Sequence, residues 1–142
     1  MSALANRAIS IGLVVMLVFG VVSSIAGAIL GTVANGAGVP LSYLAGTPFE
    51  SYAIPGVILG VVVGGTQLVG AVSILARWRA ALVLAAVAGF GMIIWIFVEL
   101  AVIEEYSWLQ TLYFTLGVAE LAAVIALSGV ATRFVAPWRA AN

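Results

Sequence analysis

Cysteine and histidine are both absent from the 142 residues. Their absence excludes disulfides, thiol redox chemistry, histidine-ligated haem and ordinary zinc sites. Charge is almost as scarce, at 7% of residues against 65% hydrophobic ones, with a mean hydropathy of +1.29. Such a chain has too little polar surface to cover a water-soluble globule. Its five basic residues form no patch of the kind a nucleic acid needs, and the two acids inside its apolar runs, Glu99 and Glu120, are too few for a carboxylate-only metal cluster. The composition therefore implies no catalytic set, no metal and no covalently held cofactor. A bound lipid, quinone or pigment is compatible with it.

What is abundant is uninterrupted apolar sequence, in runs at 8–33, 55–76, 80–103 and 108–132. Each exceeds the ~20 residues a helix needs to cross ~30 Å of hydrocarbon. The runs do not alternate as barrel strands would. They define an all-α protein: one domain, residues 1–142, built as a compact antiparallel four-helix transmembrane bundle. Arg7 precedes the first run and Ala34-Asn35-Gly36 follows it, as in a signal peptide. That run is longer than a signal's apolar region, so it reads as a retained anchor.

The charges alternate between the gaps. Arg7, Arg77 with Arg79, and Arg133 with Arg139 occupy one set, whereas Glu50 and the Glu104–Glu105 pair occupy the other. The positive-inside rule then places both termini in the cytoplasm. Tyr52, Tyr106 and Trp108 on the outer side, with Trp78 and Trp138 on the inner, suit interfacial belts. The expected location is a bacterial inner (cytoplasmic) membrane.

The gaps at 77–79 and 104–107 are tight, which makes spans two, three and four successive antiparallel neighbours. Ser107 followed by Gln110 has the form of a capping box at the start of span four. Pro55 sits in the first turn of span two, where its missing N–H costs nothing. The outer segment 34–54 is longer and apolar, with Leu41, Tyr43, Leu44, Phe49 and Tyr52. Within it, Thr47-Pro48-Phe49-Glu50 supplies an N-cap, a proline at N1 and a glutamate at N3, which predicts a short helix.

Hydrophobicity cannot drive helices together in lipid, so small residues must let backbones approach. Gly56, Gly60 and Gly64 form the strongest such stripe, suited to a seam within the chain or to a dimer. The other notable residues are two glutamates stranded in apolar runs. Glu120 lies about 18 Å along span four, near the bilayer centre, where a charge costs on the order of 2.5–3.5 kcal/mol. It should face protein, and Gln67 at comparable depth in span two is its expected partner. Glu99 lies about 6 Å from the outer end of span three, and with Trp95, Glu50, Glu104 and Glu105 it could line an acidic outer vestibule. A relay from Glu99 to Glu120, aided by Gln67 and Tyr113, would move protons or cations. Alternatively, Glu120 and Gln67 simply hold two helices in register.

The segments Thr47-Pro48-Phe49-Glu50-Ser51-Tyr52-Ala53-Ile54-Pro55-Gly56, Trp95-Ile96-Phe97-Val98-Glu99 and Ser107-Trp108-Leu109-Gln110 carry a resemblance. Over residues 40–120 the chain resembles small uncharacterised bacterial four-helix membrane proteins whose outer loop opens span two with such a proline–glycine pattern. Size and span number are also similar to the DoxX-like proteins in a general way. The resemblance implies the bundle but no activity. Three function classes follow. The leading one is a subunit or partner-binding module of a membrane assembly, homo-oligomeric or larger, without catalytic chemistry. The second is a proton- or cation-coupled transporter or channel, and the third a lipid- or quinone-binding enzyme.

Overall fold

In the computed structural model, which describes residues 2–103 and 105–129, the apolar runs form four helices, with no strand among the described residues. They are α1 (Ala3–Thr32), α2 (Ala53–Leu75), α3 (Ala81–Ile103) and α4 (Trp108–Ser128), each long and apolar enough to cross a membrane. Helix α1 starts ahead of the apolar run because the Ser2 hydroxyl accepts the Ala5 N–H at 3.2 Å, so Arg7 is already helical. The α4 start carries the capping box: Gln110 Oε1 accepts the Ser107 N–H at 2.7 Å, and the Ser107 hydroxyl caps in return. Helix α4 stops at Ser128, short of residue 132, because Gly129 turns left-handed at φ 68°. Glu104, Arg133, Trp138 and Arg139 lie outside the described residues.

The helices close a ring. Helix α1 packs on α2 and α4, α2 on α3, and α3 on α4. Two glycine contacts bring α1 and α2 close together. A Cβ on Gly31 would lie 3.0 Å from the Gly56 Cα, and one on Gly60 would lie 2.7 Å from the Ala28 Cβ. Between α3 and α4, a Cβ on Gly117 would lie 2.9 Å from the Gly89 carbonyl oxygen. Leu13, Leu17, Ala71, Ala85, Ala88 and Ala123 fill the core toward one end. The outward faces expose Val15, Val22, Val61, Phe90, Ile94 and Phe97, a surface suited to lipid.

Helix α2 is not uniform, since Leu59–Gly64 forms a π-helical segment. Its wider turns shift the phase of everything after it. The half before it packs on α1, and the half after it packs on both α1 and α3. Gln67 is thereby aimed at the bundle axis.

Helix α2 ends in a Schellman turn, with Trp78 N–H on the Ser73 carbonyl at 2.9 Å and Arg77 N–H on the Ile74 carbonyl at 3.1 Å. Arg77 holds its left-handed position at φ 56°. Glycine is usual there, and left-handed backbone costs other residues roughly 1–2 kcal/mol.

The segment between α1 and α2 departs from expectation. Residues 47–50 are not helical; the short helix is instead a 3-10 turn at Leu41–Leu44. The Thr47 hydroxyl donates back to the Leu44 carbonyl at 2.8 Å and accepts the Phe49 N–H at 3.2 Å. That local turn uses the hydroxyl that would have capped a helix. Tyr52 anchors the segment: its N–H donates to Asn35 Oδ1 at 3.0 Å and its hydroxyl to the Pro40 carbonyl at 2.9 Å. Gly36, at φ 89°, passes so close that a Cβ would lie 2.5 Å from the Tyr52 ring. Burial pushes the Tyr52 phenol above its usual pKa.

Candidate functional site: a polar crossing at the bundle centre

Gln67 and Glu120 are both 0% exposed, and they come from α2 and α4, which sit diagonally across the ring. Gln67 Nε2 donates to Glu120 Oε2 at 3.0 Å and, more weakly, to the Ala88 carbonyl on α3 at 3.4 Å. Helix α1 completes the enclosure at Gly20, where a Cβ would lie 2.6 Å from Gln67 Oε1. One amide therefore touches all four helices. A side chain there would have to displace the Gln67 amide. Two oxygens, Gln67 Oε1 and Glu120 Oε1, are buried without a protein hydrogen-bond partner. An unsatisfied buried acceptor is costly, on the order of 1–3 kcal/mol.

A second carboxyl–amide pair stands at the start of α4. Gln110 Nε2 donates to Glu99 Oε1 at 3.2 Å and to the Glu105 carbonyl at 3.2 Å, while its Oε1 completes the cap. Trp95, one turn before Glu99, faces the same carboxyl. Gln110 thus closes the α3–α4 turn and holds Glu99 at once. Its sequence signature suggested only the cap. The missed signal was depth: Glu99 and Gln110 lie about 6 and 3 Å from the same hairpin end, on adjoining helices.

The other expected site residues fall elsewhere. Tyr113 stacks on Phe19 of α1, with ring centroids 6.3 Å apart, rather than joining Glu120. Glu50 and Glu105 are exposed, and Glu105 meets Gln110 only through its backbone carbonyl. Glu99 takes its amide partner, Gln110, from α4. The two carboxyl–amide pairs are separated by about 15 Å along α4. The Gly89–Gly117 backbone contact lies between them.

Among the described residues, no group of three or more acids, histidines or cysteines could hold a metal. An open groove of about 170 Å³ runs beside Gln110, lined by Ile96, Phe97, Leu100, Tyr106, Thr111 and Phe114. The Tyr106 and Thr111 hydroxyls share a 2.7 Å hydrogen bond there. No family model, no curated protein and no solved structure matches the chain.

Proposed function

We propose that this chain is a non-catalytic membrane protein, a subunit or partner-binding module of a larger assembly, whose bundle is held rigid by the Gln67–Glu120 crossing. The observation that carries this reading is the closure of the crossing. Both side chains are out of reach of solvent, and glycine contacts seal the helices on either side. A polar pair so enclosed sets helix register; it leaves no room for a substrate. The stripe of Gly56, Gly60 and Gly64 serves the α1–α2 seam, facing Gly31, Ala28 and Ser24. The arginine gaps orient the bundle with its N-terminus and the α2–α3 turn in the cytoplasm of a bacterium. The outward apolar faces are then free for lipid or for a partner's helices.

A specific observation favours a second reading. A proton on Glu120 Oε1 would turn one of the two partnerless oxygens at the crossing into a donor. That would make Glu120 the loading site of a proton- or cation-coupled carrier.

One preparation separates the readings. Protein isolated in mild detergent should bring down a reproducible membrane partner and, after reconstitution, should show no proton or sodium flux above that of empty vesicles. Flux that Glu120→Gln abolishes would overturn the first reading and establish the second.

A further inference from the structure

Apart from the polar crossing, the bundle end that carries Arg7 and Arg77 has a groove of its own. An open trough of about 390 Å³ runs between the N-terminal part of α1 and the last turn of α2. Its walls are Ser10, Ile11, Val14, Val15, Ile74 and Leu75, with Arg77 at its mouth. Arg7 precedes Ser10 and Ile11 by three and four residues, which places it on the same face of α1. An apolar trough at hydrocarbon depth thus ends at the interface beside two exposed arginines and a hydroxyl.

A second, independent observation concerns the backbone. Arg77 sits at φ 56°, where glycine would fit without strain. Both hydrogen bonds of that turn are made by main-chain groups and would survive in glycine. The local fold therefore gains nothing from a side chain at this position. What the Arg77 side chain adds at this position is a guanidinium at the mouth of the trough.

We propose that this trough binds an anionic phospholipid, with its phosphate on Arg77 beside Arg7 and Ser10 and one acyl chain lying along the apolar walls. Guanidinium matches phosphate oxygens in a bidentate fork. The walls call for a chain as well as a headgroup, which selects a lipid over a free phosphate. Trp78, exposed next to Arg77, is suited to the same headgroup level. The site needs only the bundle and does not depend on the role of Glu120.

The test is native mass spectrometry of the detergent-purified chain titrated with phosphatidylglycerol and phosphatidylcholine. The wild type should retain phosphatidylglycerol roughly fivefold or more over phosphatidylcholine, the scale of one arginine at an anionic surface. Arg77→Gly should cut that preference about fivefold, the share of one arginine, with no fall in melting temperature in phosphatidylcholine nanodiscs. Val15→Phe, which fills the trough, should weaken both lipids yet keep the preference. A preference undiminished by Arg77→Gly would overturn the proposal, as would equal retention by the wild type. Displacement of the lipid by inorganic phosphate would also overturn it, in favour of a free-phosphate site.

Discussion

Glu120→Ala is expected to destabilise the bundle by about 3 kcal/mol, whereas Glu120→Gln should cost less than about 1 kcal/mol. Alanine empties a site that solvent does not reach. It also leaves the Gln67 amide only its long 3.4 Å contact with the Ala88 carbonyl. The conservative change keeps both the volume and an oxygen that can accept from Gln67 Nε2. Denaturation in detergent micelles, followed by far-ultraviolet circular dichroism, measures both. Equal losses for the two variants would mean that charge, rather than shape and hydrogen bonding, is what the site requires.

Gly31→Leu is expected to prevent α1 from seating, at about 3 kcal/mol or more. Its Cβ would lie 2.9 Å from the Tyr52 carbonyl oxygen and 3.0 Å from the Gly56 Cα. Both neighbours are backbone, so no side-chain rotation relieves the clash. The two helices would have to part, and Gly20 would withdraw from Gln67. Gly12→Leu is the control on the same helix, since a Cβ there meets nothing within 4 Å. It should melt like the wild type. If Gly31→Leu melts like that control, the close α1–α2 contact does not contribute to stability.

Four helices long and apolar enough to cross a membrane were legible in the sequence because length and hydropathy alone mark them out. The α4 start was legible for a similar reason, since Ser107 and Gln110 stand at the spacing a reciprocal cap requires. Counting rise per residue put Gln67 and Glu120 at one depth, and they meet at 3.0 Å. Rotation about the helix axis was harder to read. In helices apolar on every side, polarity marks only a few positions, so nothing in the pattern turned Tyr113 toward Phe19 instead of Glu120. The π segment at Leu59–Gly64 compounds this, because it resets the phase of α2 without a proline or charge to announce it. The Thr47 turn shows a local competition: a hydroxyl that could cap a helix bonds the preceding carbonyl instead. Gln110 was read by its cap alone, although one amide has donors enough to hold Glu99 as well.

The central claim is that one hydrogen-bonded pair ties the diagonal of the bundle. A double-mutant cycle tests it most directly, using unfolding free energies of the wild type, Gln67→Ala, Glu120→Ala and the double variant in one detergent. A favourable coupling of ~0.6–2 kcal/mol is expected, the range for interhelical polar pairs in membranes. Losses that simply add, to within roughly 0.3 kcal/mol, would contradict it.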